Sequence, residues 1–203
     1  MLIGIMTGQR TPGHSTAEAV AFENRIHQRY VDYIAEDGWD YLGVYVVDGL
    51  VPGAFGEVVV VDAATGGDAI ARNAEHEKRD MPEDVAAFYR ECSALFWTRG
   101  GAAMWLSPAE GTVLPRRGDT VRLSACAAGS PGAVTAQPWR EGSTPPVEAV
   151  RMEIISGPVV AADDELLAED VPALPVSWPH AAELVFRPLV VAPERSAGDA
   201  QAG

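Results

Sequence analysis

The chain has 203 residues and a formal net charge of −14, with 47% hydrophobic and 22% charged residues. This length and composition are typical of a globular protein with its own hydrophobic core, and they exclude a collagen-like, coiled-coil or largely disordered chain. The negative charge argues against nucleic acid and against an anionic membrane surface as partners, because both are themselves negatively charged.

The N-terminus and the cysteines bear on the location of the protein. The first ten residues lack the charged and apolar regions of a signal peptide, and no apolar run reaches the ~20 residues of a membrane-spanning helix. Cys92 and Cys126 lie far apart without metal-binding spacing, so we interpret both as reduced core residues. We therefore predict a cytoplasmic protein that does not contact membranes.

Strands and helices are predicted to alternate in the first half of the chain. Short runs rich in apolar and β-branched residues predict four strands, at Leu2–Thr7, Tyr41–Asp48, Glu57–Asp62 and Ala102–Ser107. Amphipathic periodicity predicts three helices, from the capping box Ser15–Glu18 to Asp37, from Thr65 to Arg79, and from Pro82 to Gly100-Gly101. The four consecutive valines of the third strand indicate burial on both faces.

The second half, from Pro108 onward, is rich in Pro and Gly and is predicted to be mainly strand and loop. Its strand candidates are Thr120–Ala127, Val147–Ile155 and Leu184–Val191, and Asp163–Glu169 is a candidate for a short acidic helix. We divide the chain into a domain over 1–108, a β-rich extension or second small domain over 109–195, and a disordered tail over 196–203.

The order strand, helix, strand, strand, helix pair, strand is typical of the ferredoxin-like βαββαβ arrangement. We therefore predict an α+β fold with an antiparallel sheet, helices on one face, and a mainly β C-terminal extension. The sheet face opposite the helices must also be buried, and we expect Tyr41 and Tyr45 to point toward it. A homodimer would cover that face, unless the C-terminal half folds over it.

Three features resemble the dimeric α+β barrel superfamily, which includes antibiotic-biosynthesis monooxygenases and NIPSNAP-like proteins. They are the element order over 1–108, the amphipathic helix ending in Leu95-Phe96-Trp97, and the aromatic strand Ala103-Met104-Trp105-Leu106. The stretch Ala74-Glu75-His76-Glu77-Lys78 resembles a group of such proteins associated with bacterial aromatic polyketide pathways. The resemblance implies paired protomers and a ligand pocket between sheet and helices, but it does not identify catalytic residues.

Glu23, His27 and Tyr30 are the first candidate for a catalytic site. Glu23 and His27 are four residues apart and can meet on one helix face, and Tyr30 lies one turn further along. A carboxylate beside an imidazole in an apolar setting can raise the imidazole pKa and create a general base. The alternative is a buried polar pair that serves only to satisfy its own hydrogen bonds.

His76 is the second catalytic candidate, through the resemblance alone, because the helical wheel places it beside Arg72 on the side exposed to solvent. Large side chains that can line an aromatic ligand's pocket are Trp105, Tyr45, Trp97 and Phe22. Core packing or a dimer interface is the alternative explanation for most of these aromatic residues.

No nucleotide-binding or metal-binding motif is present, so we expect neither a cofactor nor a metal. Together with the resemblance, these features suggest an enzyme of bacterial secondary metabolism that acts on a small aromatic or polyketide-like molecule in an apolar pocket. The reaction would be that of a cofactor-independent oxygenase, cyclase or isomerase. The alternative is a non-catalytic ligand-binding or accessory protein of such a pathway.

Overall fold

The computed structural model of the protein describes residues 1–96, 101–179 and 182–196. Its strands are β1 (Leu2–Gln9), β2 (Trp39–Asp48), β3 (Ala54–Val61), β4 (Ala102–Ser107), β5 (Asp119–Cys126), β6 (Val134–Pro138), β7 (Ala149–Ser156) and β8 (Glu183–Val191). Its helices are α1 (Thr16–Ala35), α2 (Gly66–Lys78) and α3 (Glu83–Phe96). None of these helices combines the length and apolar character needed to cross a membrane.

The eight strands form one closed antiparallel barrel in the order β1-β3-β2-β8-β5-β7-β6-β4. The first half of the chain contributes β4-β1-β3-β2, and the second half contributes β8-β5-β7-β6. When the four strands of each half are numbered along the chain, both halves have the same spatial order, 4-1-3-2. The halves join where β2 pairs with β8 and where β4 pairs with β6. Strands from both halves therefore belong to a single sheet.

The predicted ferredoxin-like fold class is wrong, and so is the resemblance to the α+β barrel superfamily. An open four-stranded sheet would leave two free edges, whereas here both edges are paired with strands of the second half. The biosynthetic role that came with this resemblance loses its basis as well. The individual strands and helices of the first half nevertheless lie within a few residues of the predicted positions.

The interior of the barrel is filled by alternating apolar side chains, as in other small barrels. They include Ile3, Ile5, Val58, Val60, Met104, Leu106, Val121, Leu123, Leu184 and Phe186. This interior is the sheet face opposite the helices. We predicted that either a second protomer or the C-terminal half of the chain would cover it. The structure shows the second alternative, and the homodimer stays a prediction.

The outer face of the barrel differs between the two halves. In the first half α1, α2 and α3 pack against it and form a second apolar layer. In the second half it carries ion pairs such as Arg122–Glu153 at 2.9 Å, and Arg187 of β8 pairs with Asp48 of the neighbouring β2 at 2.6 Å. A polar outer face of this kind can be solvated, which explains why the described part of the second half needs no covering helix.

Two segments of the second half differ from their predictions. The predicted acidic helix at Asp163–Glu169 is irregular, because its backbone bonds instead to the start of α1 and the preceding loop. The strand β6 lies in a Gly- and Pro-rich stretch where none was predicted. Of the predicted disordered tail, Ser196 bonds to Asp32 at 2.8 Å, and residues 197–203 lie outside the described residues.

A bulge in β2 separates Tyr41 from Tyr45. Tyr45 points into the barrel, as predicted, but Tyr41 points toward the helices. Pairing with β3 shifts register between Tyr41 and Gly43, and one extra residue inverts the alternation of faces. Gly43 has a φ of +139°, and a Cβ there would lie 2.0 Å from the Val190 carbonyl oxygen. Glycine is therefore required at the bulge.

Candidate functional site

A cavity of about 680 Å³ lies between the helices and the outer face of the barrel. Side chains of β1, β3 and β4 form its floor, all three helices contribute to its walls, and the segment after β6 bounds one side. Its aromatic lining consists of Tyr30, Trp39, Phe88, Tyr89 and Trp139. Its polar lining includes Thr7, Glu57, Asn73, His76 and Arg140. A cavity of this size and character can enclose a small apolar molecule.

His76, in the last turn of α2, lines this cavity and is paired with Asp37 from the turn before β2. Nδ1 of His76 lies 2.5 Å from Oδ2 of Asp37, and the two side chains are only 10% and 17% exposed. Because a carboxylate can only accept a hydrogen bond, we assign the Nδ1 proton to His76. In the neutral imidazole, Nε2 is then the nitrogen that carries the lone pair, and it is the ring nitrogen left for a ligand.

Three neighbouring side chains hold this His76–Asp37 dyad in place. Nη2 of Arg79 lies 3.0 Å from the same Asp37 oxygen. The Trp39 ring stacks on the imidazole with centroids 5.7 Å apart and planes inclined by 24°, and the Tyr33 ring packs at 5.2 Å. The imidazole cannot turn without losing these contacts, so its orientation is fixed before a ligand binds.

The inward face of α2 differs from the one that the helical wheel predicts. The wheel predicts that Ile70 and Ala74 face inward, but both are only half-buried, whereas Ala69, Asn73 and His76 are 0%, 5% and 8% exposed. The expectation that His76 is exposed is therefore wrong. The buried positions follow the spacing i, i+4, i+7, but two of them are polar because this face lines a cavity as well as a core. That spacing is the sequence signal that could have identified them.

Glu57 is a buried carboxyl group in the floor of the cavity, and sequence analysis did not single it out. It lies on β3 on the same side as Val59, and its side chain faces the helices. Burial raises the pKa of Glu57 to about 7, although the nearby Tyr41 hydroxyl lowers it in part. A carboxyl group that titrates near neutral pH can act as either a proton donor or a proton acceptor.

The predicted Glu23–His27 pair is buried in the layer between α1 and the sheet, but neither residue lines the cavity. Both carboxyl oxygens of Glu23 and the Nε2 atom of His27 have no hydrogen-bond partner among the described residues. Burial raises the pKa of Glu23 well above its usual value, an effect reinforced by the charge of Glu57. Burial lowers the pKa of His27 to about 4, opposite in direction to the expected rise.

Two stacked tryptophans form one wall of the site. The rings of Trp105 and Trp139 lie 4.2 Å apart and nearly parallel, and Nε1 of Trp105 donates to the Trp139 carbonyl at 3.0 Å. Trp139 lines the cavity, and Trp105 packs behind it rather than at the surface of the cavity. Gly4 pairs with Trp105 across the strands, and a Cβ on Gly4 would meet both rings within 3.0 Å.

The other predicted site residues are scattered. Tyr30 lines the cavity, and its ring meets the Tyr89 ring edge to face at 5.6 Å. Phe22 stacks on Phe88 at 5.0 Å and borders a shallower groove between α1 and α3. Tyr45 lies inside the barrel, away from the cavity, and Trp97 lies outside the described residues.

The unusual pKa of Glu57 predicts a pH dependence of stability. The folded-state pKa of about 7 exceeds the ordinary value of 4.5. Between these two pH values the folded state therefore binds more protons than the unfolded state. The stabilisation that protonated Glu57 gives to the folded state is fully present below pH 4.5 and is lost as the pH rises to about 7. We expect the unfolding free energy of the wild type, minus that of Glu57→Gln, to fall by about 3 kcal/mol over this range.

Urea unfolding of both proteins at several pH values measures this difference. The comparison with a variant is needed because the lowered pKa of His27 gives the wild type an opposite pH dependence, in which stability rises from about pH 4 to pH 6.5. A difference that stays constant with pH would show that Glu57 titrates as an ordinary exposed carboxyl group does.

The described residues contain no cluster of three or more His, Cys, Asp or Glu side chains that could hold a metal ion. Comparison of the chain with protein-family models, with curated proteins and with solved structures finds no match. The cavity and the side chains that line it are therefore the basis of the proposed function.

Proposed function

We propose that the protein is an enzyme that transfers protons on a small, apolar, aromatic molecule bound in the cavity, as an isomerase or cyclase does. The observation that carries this proposal is the His76–Asp37 dyad in the wall of an aromatic cavity. An imidazole whose second nitrogen is held by a carboxylate is a general base of fixed tautomer. The aromatic lining supplies the affinity for an apolar ligand.

The proposed step is proton removal from a carbon next to a carbonyl group. Nε2 of His76 takes the proton, the electron pair of the C–H bond becomes the C=C bond of an enolate, and the carbonyl π electrons move to the oxygen. Protonated Glu57 is suited to donate a hydrogen bond to that oxygen, because burial favours its neutral form. Return of the proton from His76 to the same or another carbon completes the reaction without an oxidant.

The test uses 2-tetralone, a bicyclic aromatic ketone with acidic α-protons, as the probe. Calorimetric titration measures its binding, and proton NMR in D2O measures the loss of its α-proton signals with and without the protein. We expect binding, and an exchange rate well above that in buffer alone. Binding without exchange would favour the alternative of a non-catalytic ligand-binding protein, and the lack of binding would contradict the proposal.

A further inference from the structure

Arg140 is the one arginine or lysine among the described residues that line the cavity. It lies directly after Trp139, in the segment that follows β6, and its side chain is exposed at the edge of the cavity. It forms no ion pair with any described residue, whereas seven other arginines of the described chain do. A cation left without an internal partner beside an apolar cavity is available to a ligand.

The backbone at Arg140 is held in a defined position. Trp139 is anchored by its stacking on Trp105 at 4.2 Å. The turn that follows is closed by Ser143, whose amide and hydroxyl both donate to the Arg140 carbonyl, at 3.1 and 2.8 Å. The Ser143 hydroxyl also accepts from the Arg140 amide at 3.1 Å. The backbone that carries the Arg140 side chain is therefore held in place at the edge of the cavity, so less conformational freedom is lost when the guanidinium group binds a ligand.

The acidic groups at the cavity do not neutralise the positive charge of Arg140. Glu57, in the floor, is held largely neutral below pH 7 by burial, and the charge of Asp37 is paired with that of Arg79 at 3.0 Å. The lining therefore has one end with an uncompensated positive charge, and its walls are mainly aromatic. A ligand that matches both features has a flat apolar body and a single anionic group at one end.

We propose that the ligand of this cavity is an aromatic carboxylate whose carboxylate group is bound by the guanidinium of Arg140. This inference rests on the proposed function, since it names the class of molecule that the same cavity accepts. A guanidinium group can donate two parallel hydrogen bonds to a carboxylate, which gives orientation as well as affinity. Arg140 is a binding residue here, and the dyad remains the reacting base.

The test compares two probes of the same shape, 2-naphthoate and 2-naphthamide, by calorimetric titration at low salt and about pH 6. The wild type is expected to bind the carboxylate about tenfold more tightly than the amide, within the range of charge-assisted hydrogen bonds. Arg140→Gln should reduce this ratio to about 1, and Arg140→Lys should keep part of it. Arg116→Gln is the matched control, because Arg116 is also exposed and does not line the cavity.

The outcomes separate this inference from the proposed function. If the wild type binds both probes equally, or if Arg140→Gln weakens both equally, the carboxylate inference is overturned while the aromatic cavity stands. If Arg116→Gln removes the preference as well, the effect is one of overall charge, which also overturns it. If neither probe binds, the proposed function fails together with the inference. The thermal unfolding midpoint of each variant checks that it is folded.

Discussion

Replacing His76 with alanine is expected to lower α-proton exchange of 2-tetralone by about 10²–10⁴-fold, the usual contribution of a general base. The protein should remain folded, because Asp37 keeps its ion pair with Arg79 at 3.0 Å and the removed ring borders an existing cavity. Exchange rates measured by NMR, together with the urea unfolding curve of the variant, test both parts. His14→Ala is the control, since His14 is half-exposed, pairs with Glu18 and does not line the cavity.

Asp37 acts through His76 as a positioning residue, so its variants need a different readout. Asp37→Asn should lower the exchange rate and change the pH profile of the remaining activity, because an amide cannot hold the imidazole in the same tautomer. Full exchange in His76→Ala would exclude the dyad as the base. If His27→Ala is instead the inactive variant, the Glu23–His27 pair predicted from the sequence is the catalytic one.

The second large effect is expected on stability, from replacing Trp105 with alanine. Trp105 is fully buried, stacks on Trp139 and donates a hydrogen bond to its carbonyl. Removing so large a buried ring costs about 3–5 kcal/mol, because the surrounding side chains relax only partly into the space. Gly4 opposite it cannot fill that space, and so we expect a marked drop in the urea midpoint.

Val113→Ala is the matched control for this loss, because Val113 is 69% exposed and its truncation should change stability by less than about 0.5 kcal/mol. The Trp105→Ala variant should also bind 2-tetralone more weakly, since Trp139 loses the ring that supports it in the cavity wall. A loss of stability below about 1 kcal/mol would show that the two tryptophans do not form a packed unit.

Local structure in the first half of the chain was largely predictable. The capping box at Ser15 and Glu18 starts α1 as predicted, with both reciprocal hydrogen bonds formed. The strand predicted at Ala102–Ser107 forms as β4, with Trp105 on the opposite face from Met104 and Leu106, as alternation along a strand requires. These features depend on residues close together in the sequence, so their patterns are visible without a fold.

The candidate site was predictable only in part. His76 and Tyr30 were both predicted as site residues, and both line the cavity. The helical wheel, however, placed His76 on the exposed side of α2, whereas the structure buries it. Asp37 was interpreted only as the end of a helix, and Glu57 only as the first residue of a buried strand. Their significance comes from contacts between elements, and no local pattern encodes such contacts.

The sequence by itself determined where most strands and helices form and which side chains are apolar, because hydrophobic periodicity and capping act within a few residues. The closure of the barrel was decided only by the tertiary structure. It depends on the pairing of β2 with β8 and of β4 with β6, and antiparallel strands of either half could equally have ended at free edges. The bulge at Gly43, which turns Tyr41 toward the helices, likewise depends on strand pairing, here of β2 with β3. Such choices are made by the burial of whole sheet faces, so they appear only when both halves of the chain are folded together.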